Sequence, residues 1–231
     1  MANAKRALVT GGTGALGLSV AQALLGAGWE THVSAATAES AQRFQQTPQG
    51  RGLTVHAANL ATPDGTRRLF RETGGPLAAL VATIGGYSGG PLASMADAAI
   101  DHLIDMNLKT AVLTLREAYP HLKQNPGGSA VVLVAARGAV SGGPGSAVYA
   151  ATKAAIVNLA QSTAQEWLED GITVNAILPS TMDTPANRSA MPDADFSLWP
   201  TTGQIADVVA FLVSDKARIV SGGAIPVYGR A

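Results

Sequence analysis

Tyr149 and Lys153 stand four residues apart in GSAVYAATKAAIVNLAQSTAQEW, a stretch otherwise almost free of charge. On a helix this spacing puts a phenol and an ammonium on one face, about one turn apart. An ammonium beside a phenol favours the phenolate, so Lys153 is expected to bring Tyr149 below its usual pKa of about 10. Such a pair can donate a proton near neutral pH. The same spacing also occurs by chance on ordinary helices, so its meaning depends on what the rest of the chain places around it.

A second constellation lies near the start, in Thr10-Gly11-Gly12-Thr13-Gly14-Ala15-Leu16-Gly17. Gly12, Gly14 and Gly17 satisfy G-x-G-x-x-G between an apolar strand pattern and a helical one. There, glycines permit a tight turn and a close backbone approach, and the helix start offers N–H groups to a pyrophosphate. Gly11, Thr13, Gly14, Ala15 and Leu16 are the positions expected to line a dinucleotide. The acidic residue that reads a ribose about 20 residues further on is missing, since the local sequence is His32-Val33-Ser34-Ala35-Ala36-Thr37. Ser34 and Thr37 can hydrogen-bond a phosphate, and Arg43 reads as a solvated helix residue. The balance leans to NADP(H) over NAD(H).

These residues need elements to position them, and apolar runs of strand length alternate with helical patterns along the chain. Strands are expected at 6–10, 31–35, 53–57, 77–84, 130–136, 173–178 and 224–227. Helices are expected at 16–25, 38–46, 63–73, 95–103, 107–122, from Tyr149 to about Glu169, and at 204–213. Thr62 followed by Pro63 is a helix start signal. The segment 180–200 reads as irregular. Continuous apolar strands alternating with helices predict an α/β fold: one doubly wound domain over residues 1–231, with a parallel sheet covered on both faces.

Composition narrows the function classes. Apolar residues make up 47% of the 231 residues and charged residues 14%, with a formal net charge of zero. Without a basic stripe, nucleic acid and anionic membrane are unexpected partners. The absence of cysteine excludes disulfides, thiolate metal sites and a cysteine nucleophile. His32, His56, His102 and His121 show no metal-ligand spacing and read as surface or satisfied core residues, so no metal site is expected. The start lacks the apolar core of a signal peptide and no run approaches the roughly 20 apolar residues of a membrane span. A cytoplasmic protein is the default expectation.

The accumulated pattern resembles the short-chain dehydrogenase/reductase family over nearly the whole chain. The resemblance rests on TGGTGALG, the strand-end ATIGG, Asn107 in MNLKT, YAATK, VNAILPSTMDTP and the terminal SGGAIPV. It implies Tyr149 as the general acid/base and Lys153 as the residue that binds the nicotinamide ribose and tunes the tyrosine. Asn107 would help hold a proton-relay water. Asn59 and Leu60 would flank the adenine, and Gly85, Gly86, Pro179, Thr181 and Thr184 would line the cofactor. The family pairs these helices across a dimer, and 107–122 and 146–167 carry small and apolar residues on more than one face, so a homodimer or homotetramer is expected.

One position departs from the family. Its serine, thirteen residues before the tyrosine, is replaced by Ala136, with Arg137 beside it. Ser141 and Ser146 lie too near Tyr149 in sequence to be simple replacements. One branch, the quinonoid dihydropteridine reductases, resembles the chain here. It has an alanine with a basic neighbour, and similar segments at GGTGALG, IGGYSGG and LPSTMDTPANRSAMPDADFSLW. That branch has an aspartate after its second strand and lacks an asparagine at the Asn107 position. The branch implies reduction of a flat conjugated heterocycle, with Tyr87 and Trp199 beside the substrate and Ala136 and Arg137 facing it. The alternatives are a 3-oxoacyl-type carbonyl reductase, with Arg137 or water in place of the serine, and a cofactor-binding scaffold or sensor without catalysis.

Overall fold

The computed structural model describes residues 5–231. Seven parallel strands form one sheet in the order β3-β2-β1-β4-β5-β6-β7. In chain order they are β1 Arg6–Thr10, β2 Glu30–Ala35, β3 Thr54–Ala57, β4 Ala79–Ala82, β5 Ser129–Val134, β6 Ile172–Pro179 and β7 Ala224–Val227. The helices are α1 Ala15–Gly26, α2 Ala38–Gln45, α3 Pro63–Thr73, α4 Asp97–Leu103, α5 Thr110–Lys123, α6 Gly138–Ser141, α7 Ala147–Glu166, α8 Pro185–Ala190 and α9 Thr202–Leu212.

Alternate residues of each strand face opposite layers. Leu8, Leu80, Val131 and Leu133 meet Leu69, Phe70, Leu115, Leu122 and Ile156 from α3, α5 and α7. Val9, Val33, Val81 and Val132 meet Leu16, Val20, Leu24, Ile205, Val209 and Leu212 from α1 and α9. Burial on both faces is why the strands read as unbroken apolar runs, and the fold is the doubly wound α/β arrangement expected.

Local signals acted as they should at several ends. Thr62 accepts from the Gly65 N–H and Pro63 opens α3. Gly171, in the left-handed region at φ 68°, ends the segment after α7. Three expectations need correction. The run 77–84 contributes only Ala79–Ala82 to the sheet, because the chain leaves the ladder at Thr83 to form the site loop. Asn107 does not open a regular helix; it lies in a π-helical turn, Ile104–Lys109, that joins α4 to α5. The segment 180–200 is partly ordered, with α8 capped by Thr184 and a 3-10 turn at Phe196–Leu198.

Candidate active site

The carboxyl ends of the strands gather the chemistry-bearing residues on one edge of the sheet. After β1, Gly11 takes φ 72° and its carbonyl accepts from the Gly14 N–H at 2.9 Å, which closes the glycine turn. A Cβ on Gly17 would stand 2.3 Å from the Gly11 carbonyl oxygen, and one on Gly12 2.5 Å from Val33. These two glycines are therefore demanded by close packing of turn, strand and helix. Gly14 caps α1 without a side-chain hydrogen bond, and a helix start has N–H groups without intrahelical acceptors. Thr13, Gly14 and Ala15 face outward at this turn while Leu16 turns into the core.

Ser34 is placed differently from expectation. It is buried, and its Oγ accepts from the Gly11 N–H at 3.0 Å, so it fixes the loop rather than opening to a phosphate. Thr37 is committed to a capping box with Ser40, and Arg43 pairs with Glu39 at 3.0 Å. Asn59 is exposed, its Oδ1 accepting from the Ala61 N–H, and the Leu60 side chain belongs to the core. Thr184 Oγ1 accepts from the Asn187 N–H as the cap of α8, and Thr181 is half-buried beside it.

Tyr149 and Lys153 sit in α7, and Asn107 bonds Thr152 of the same helix. Asn107 is 1% exposed, and its amide is used in full view of the strand-end loop. Its Oδ1 accepts from the Gly86 N–H at 2.8 Å, and its Nδ2 donates to the Gly86 carbonyl at 3.1 Å and to Thr152 Oγ1 at 3.1 Å. Thr152 donates in turn to the Tyr149 carbonyl at 2.7 Å. A Cβ on Gly85 would lie 2.8 Å from Lys153 Nζ and 2.9 Å from Asn107 Oδ1. Only a bare backbone fits between the two.

Lys153 is 4% exposed and donates to the Val134 carbonyl at 3.0 Å. Burial lowers its pKa to about 8. Its Nζ lies 5.9 Å from the Tyr149 ring centroid. The expected lowering of the Tyr149 pKa does not occur: burial pushes the phenol upward, and the neighbouring Tyr87 phenol adds to the rise. The Lys153 charge is itself desolvated and bonded to Val134, and in this form Tyr149 holds its proton at neutral pH.

Tyr87 is 68% exposed and packs edge-on against Tyr149, with ring centroids 5.0 Å apart. Its loop is tied at both ends, by Asn107 to Gly86 and by the Gly90 N–H to the Gly145 carbonyl at 2.8 Å. Ala136 is buried at the end of β5 and brings no hydroxyl. Arg137 does not supply a substitute. Its guanidinium lies 5.3 Å from the Tyr228 ring centroid and donates to the Ala231 carbonyl at 2.7 Å, while its N–H donates to the Pro179 carbonyl. Ser141 and Ser146 donate to carbonyls of their own loop.

Trp199 is not brought to Tyr149. It packs on Phe196 and lines a groove of about 670 Å³ with Arg188, Gln204 and Arg230, a groove that neither Tyr149 nor Lys153 lines. His32 and His56, read as separate residues, are in contact. The sequence signals missed Thr152 and the Val134 carbonyl, because a threonine inside a small-residue helix and a strand carbonyl carry no motif of their own. No group of three or more His, Asp or Glu among the described residues is arranged to hold a metal ion. No helix among them is long and apolar enough to cross a membrane.

Comparison with known proteins agrees with this fold. The family model described as short chain dehydrogenase matches residues 5–195. The 3-oxoacyl-(acyl-carrier-protein) reductase FabG of Staphylococcus aureus (strain Mu50) is 32% identical over 239 residues, covering 97% of each chain. A solved structure of a short chain dehydrogenase/reductase family protein superposes with TM-score 0.89 at 28% identity, covering 97% of this chain and 96% of the other. A structure of ElxO with NADP bound, at 20% identity and TM-score 0.89 over 98% of both, shares the fold. These relatives are 3-oxoacyl reductases, so they support the family and give no support to the finer resemblance to the dihydropteridine reductase branch. The matched length and the identity together place the chain in the short chain dehydrogenase family of oxidoreductases.

Proposed function

We propose that the protein is an NAD(P)H-dependent carbonyl reductase of the 3-oxoacyl type. The observation that carries this is the end-to-end similarity to FabG together with Tyr149, Lys153 and Asn107 gathered at one point. The residues fit a dinucleotide: an uncapped start of α1, and a bare Gly85 between Lys153 Nζ and Asn107 Oδ1. Gly11, Thr13, Gly14, Ala15 and Leu16 would hold the pyrophosphate, Asn59 and Leu60 the adenine side, and Gly85, Gly86, Pro179, Thr181 and Thr184 the nicotinamide side. Ala35 and Ala36 leave no carboxylate after β2 to repel a 2′-phosphate, which favours NADP(H).

When bound, the dinucleotide supplies hydride. Lys153, with one N–H on Val134, has donors left that would hold the ribose. Tyr149 gives its proton to the substrate oxygen as the carbon is reduced, and solvent restores it. Asn107 holds the Gly86 backbone and, through Thr152, the turn of α7 that carries Tyr149.

Ala136 favours a second reading, reduction of a flat conjugated heterocycle such as a quinonoid dihydropterin. Such a substrate takes hydride into an imine-like system and needs a proton on nitrogen, not a hydroxyl that polarises a ketone. Tyr87, standing edge-on to Tyr149, offers an aromatic wall to a flat ring. Turnover of a 3-oxoacyl thioester and of quinonoid dihydropterin with NADPH and NADH separates the two. Faster thioester reduction supports the first reading, and thioester turnover should rise in Ala136→Ser. Pterin reduction alone moves the assignment to the second. In either case Tyr149→Phe should lower turnover by about 10²–10⁴-fold. Bound cofactor with no turnover of any substrate would leave a non-catalytic scaffold or sensor.

A further inference from the structure

His32 on β2 and His56 on β3 are buried, at 6% and 9% exposure, and meet directly. Their rings are parallel within 7° with centroids 5.1 Å apart, and His32 Nδ1 lies 2.8 Å from His56 Nε2. That centroid separation is what an in-plane N···N hydrogen bond between ring edges produces. The outer nitrogens face carboxylates. His32 Nε2 is 3.1 Å from Glu30 Oε1, which also pairs with Arg6 on β1 at 3.0 Å. His56 Nδ1 is 3.7 Å from Glu72 Oε2 on α3, and Glu72 pairs with Arg68 at 3.7 Å. A line of alternating charge and imidazole thus runs from β1 through β2 and β3 to α3.

This line fixes where hydrogens can sit. Glu30 only accepts, so His32 Nε2 carries a hydrogen and His32 Nδ1 is left as an acceptor. His56 Nε2 must then be the donor in the N···N bond. A third hydrogen fits on His56 Nδ1, toward Glu72, without disturbing that bond. A fourth does not fit, because both facing nitrogens would become donors and two cations would stand side by side inside the protein. Burial, and then the neighbouring His32, already hold the His56 pKa below its usual value.

The bond adjoins the glycine loop. Ser34 is the cross-strand partner of His56 in the β2–β3 register, and its Oγ holds the Gly11 N–H. β3 is the outer strand, paired on one side only, so this imidazole bridge is a side-chain tie across its single ladder. We infer that the His32–His56 pair is a proton-sensitive brace of the dinucleotide loop. With up to three hydrogens on the two rings it ties β3 to β2 and steadies Ser34 beneath Gly11. A fourth hydrogen breaks the tie, loosens the sheet edge and weakens dinucleotide binding. The inference rests on the reading that the glycine loop binds a dinucleotide.

The test compares dissociation constants for NADPH and NADH at about pH 7.5 and about pH 5, across the range in which histidines charge. Lys153, with its pKa near 8, stays charged throughout the lower part of this range. Wild type should lose about tenfold or more in affinity on acidification. His56→Gln keeps a donor for His32 Nδ1 but cannot titrate, so it should lose much less. His32→Leu removes the tie and should bind weakly at both pH values. Parallel loss in wild type and His56→Gln, or no loss in wild type, would overturn the inference. Absence of dinucleotide binding at every pH would refute the cofactor reading instead. The unfolding midpoint of the free protein then decides the brace: an acid-induced drop in wild type that His56→Gln lacks supports it, and equal drops overturn it. If His56→Gln does not fold, NMR of the wild-type imidazoles settles the matter, since a scalar coupling across the His56 Nε2–H···Nδ1 His32 bond that persists at pH 5 contradicts the brace.

Discussion

Lys153 carries a charge in a place that penalises it. Its folded pKa of about 8 lies below the roughly 10.4 of a free lysine, so between these values the unfolded chain holds a proton that the folded chain does not. Stability therefore falls as pH drops from about 10.4 to about 8, and below that the full penalty, about 3 kcal/mol, remains. Lys153→Met should raise the melting temperature at pH 7 while removing activity, and thermal scans should show the gain shrinking from about pH 8 and gone by about pH 10.4. The penalty is retained because the ammonium has donors left for a ligand. A ligand that accepts them raises the pKa again, so binding takes up a proton once the pH exceeds 8. Dinucleotide affinity should fall by up to about tenfold per pH unit between 8 and 9.5, and titration calorimetry should find Lys153→Met flat over the same range. At this scale the sequence was legible in identity and not in environment. Spacing alone paired Tyr149 with Lys153, but the sign of the Tyr149 shift depended on burial and on Tyr87, which approaches from another loop.

The π-helical turn Ile104–Lys109 shows how an element sets a residue's task. The wider turn delivers Asn107 to Gly86, where one amide replaces the strand partner that the backbone loses on leaving β4. Asn107→Ala would leave the Gly86 N–H, the Gly86 carbonyl and Thr152 short of partners in a largely buried place. The cost should be about 1–3 kcal/mol for a group left unsatisfied. Hydrogen exchange should locate the change, with the Gly86 amide speeding up while the amides of β4 keep their protection. Helices with local signals could be read closely, as at α3, where Thr62 and Pro63 mark the start. The π turn could not, because nothing in the residues between the helices expected at 95–103 and 107–122 distinguishes a wider helical turn from a simple break. The order within 180–200 was hidden for a different reason. Its turns are short, and the α8 cap at Thr184 has no long apolar period behind it.

Over the whole molecule, the parallel sheet explains why residues spread from Gly11 to Thr184 reach one edge. Every strand runs the same way, so every strand-to-helix crossing on that side ends a strand at its carboxyl end. This much followed from alternating apolar runs and helices, and the sheet order then fixed which loops became neighbours. What covers the outer helices is a separate matter. α7 spans 20 residues with Lys153 and Glu166 as its only charges, and its outward positions include Ala151, Asn158, Gln161 and Gln165. On α5, Val112 is an outward apolar residue, 42% exposed. A formal net charge of zero gives little long-range repulsion between copies. Two such helices from each subunit can bury the roughly 800 Å² per partner of a specific interface. Light scattering should therefore give the mass of a dimer or tetramer, and a monomer at micromolar concentration would refute it. Val112→Glu places a carboxylate in the covered patch and should shift the distribution toward monomer. Because Val112 lies outside the Tyr149 site, dinucleotide affinity per subunit should change little, which separates loss of assembly from loss of fold.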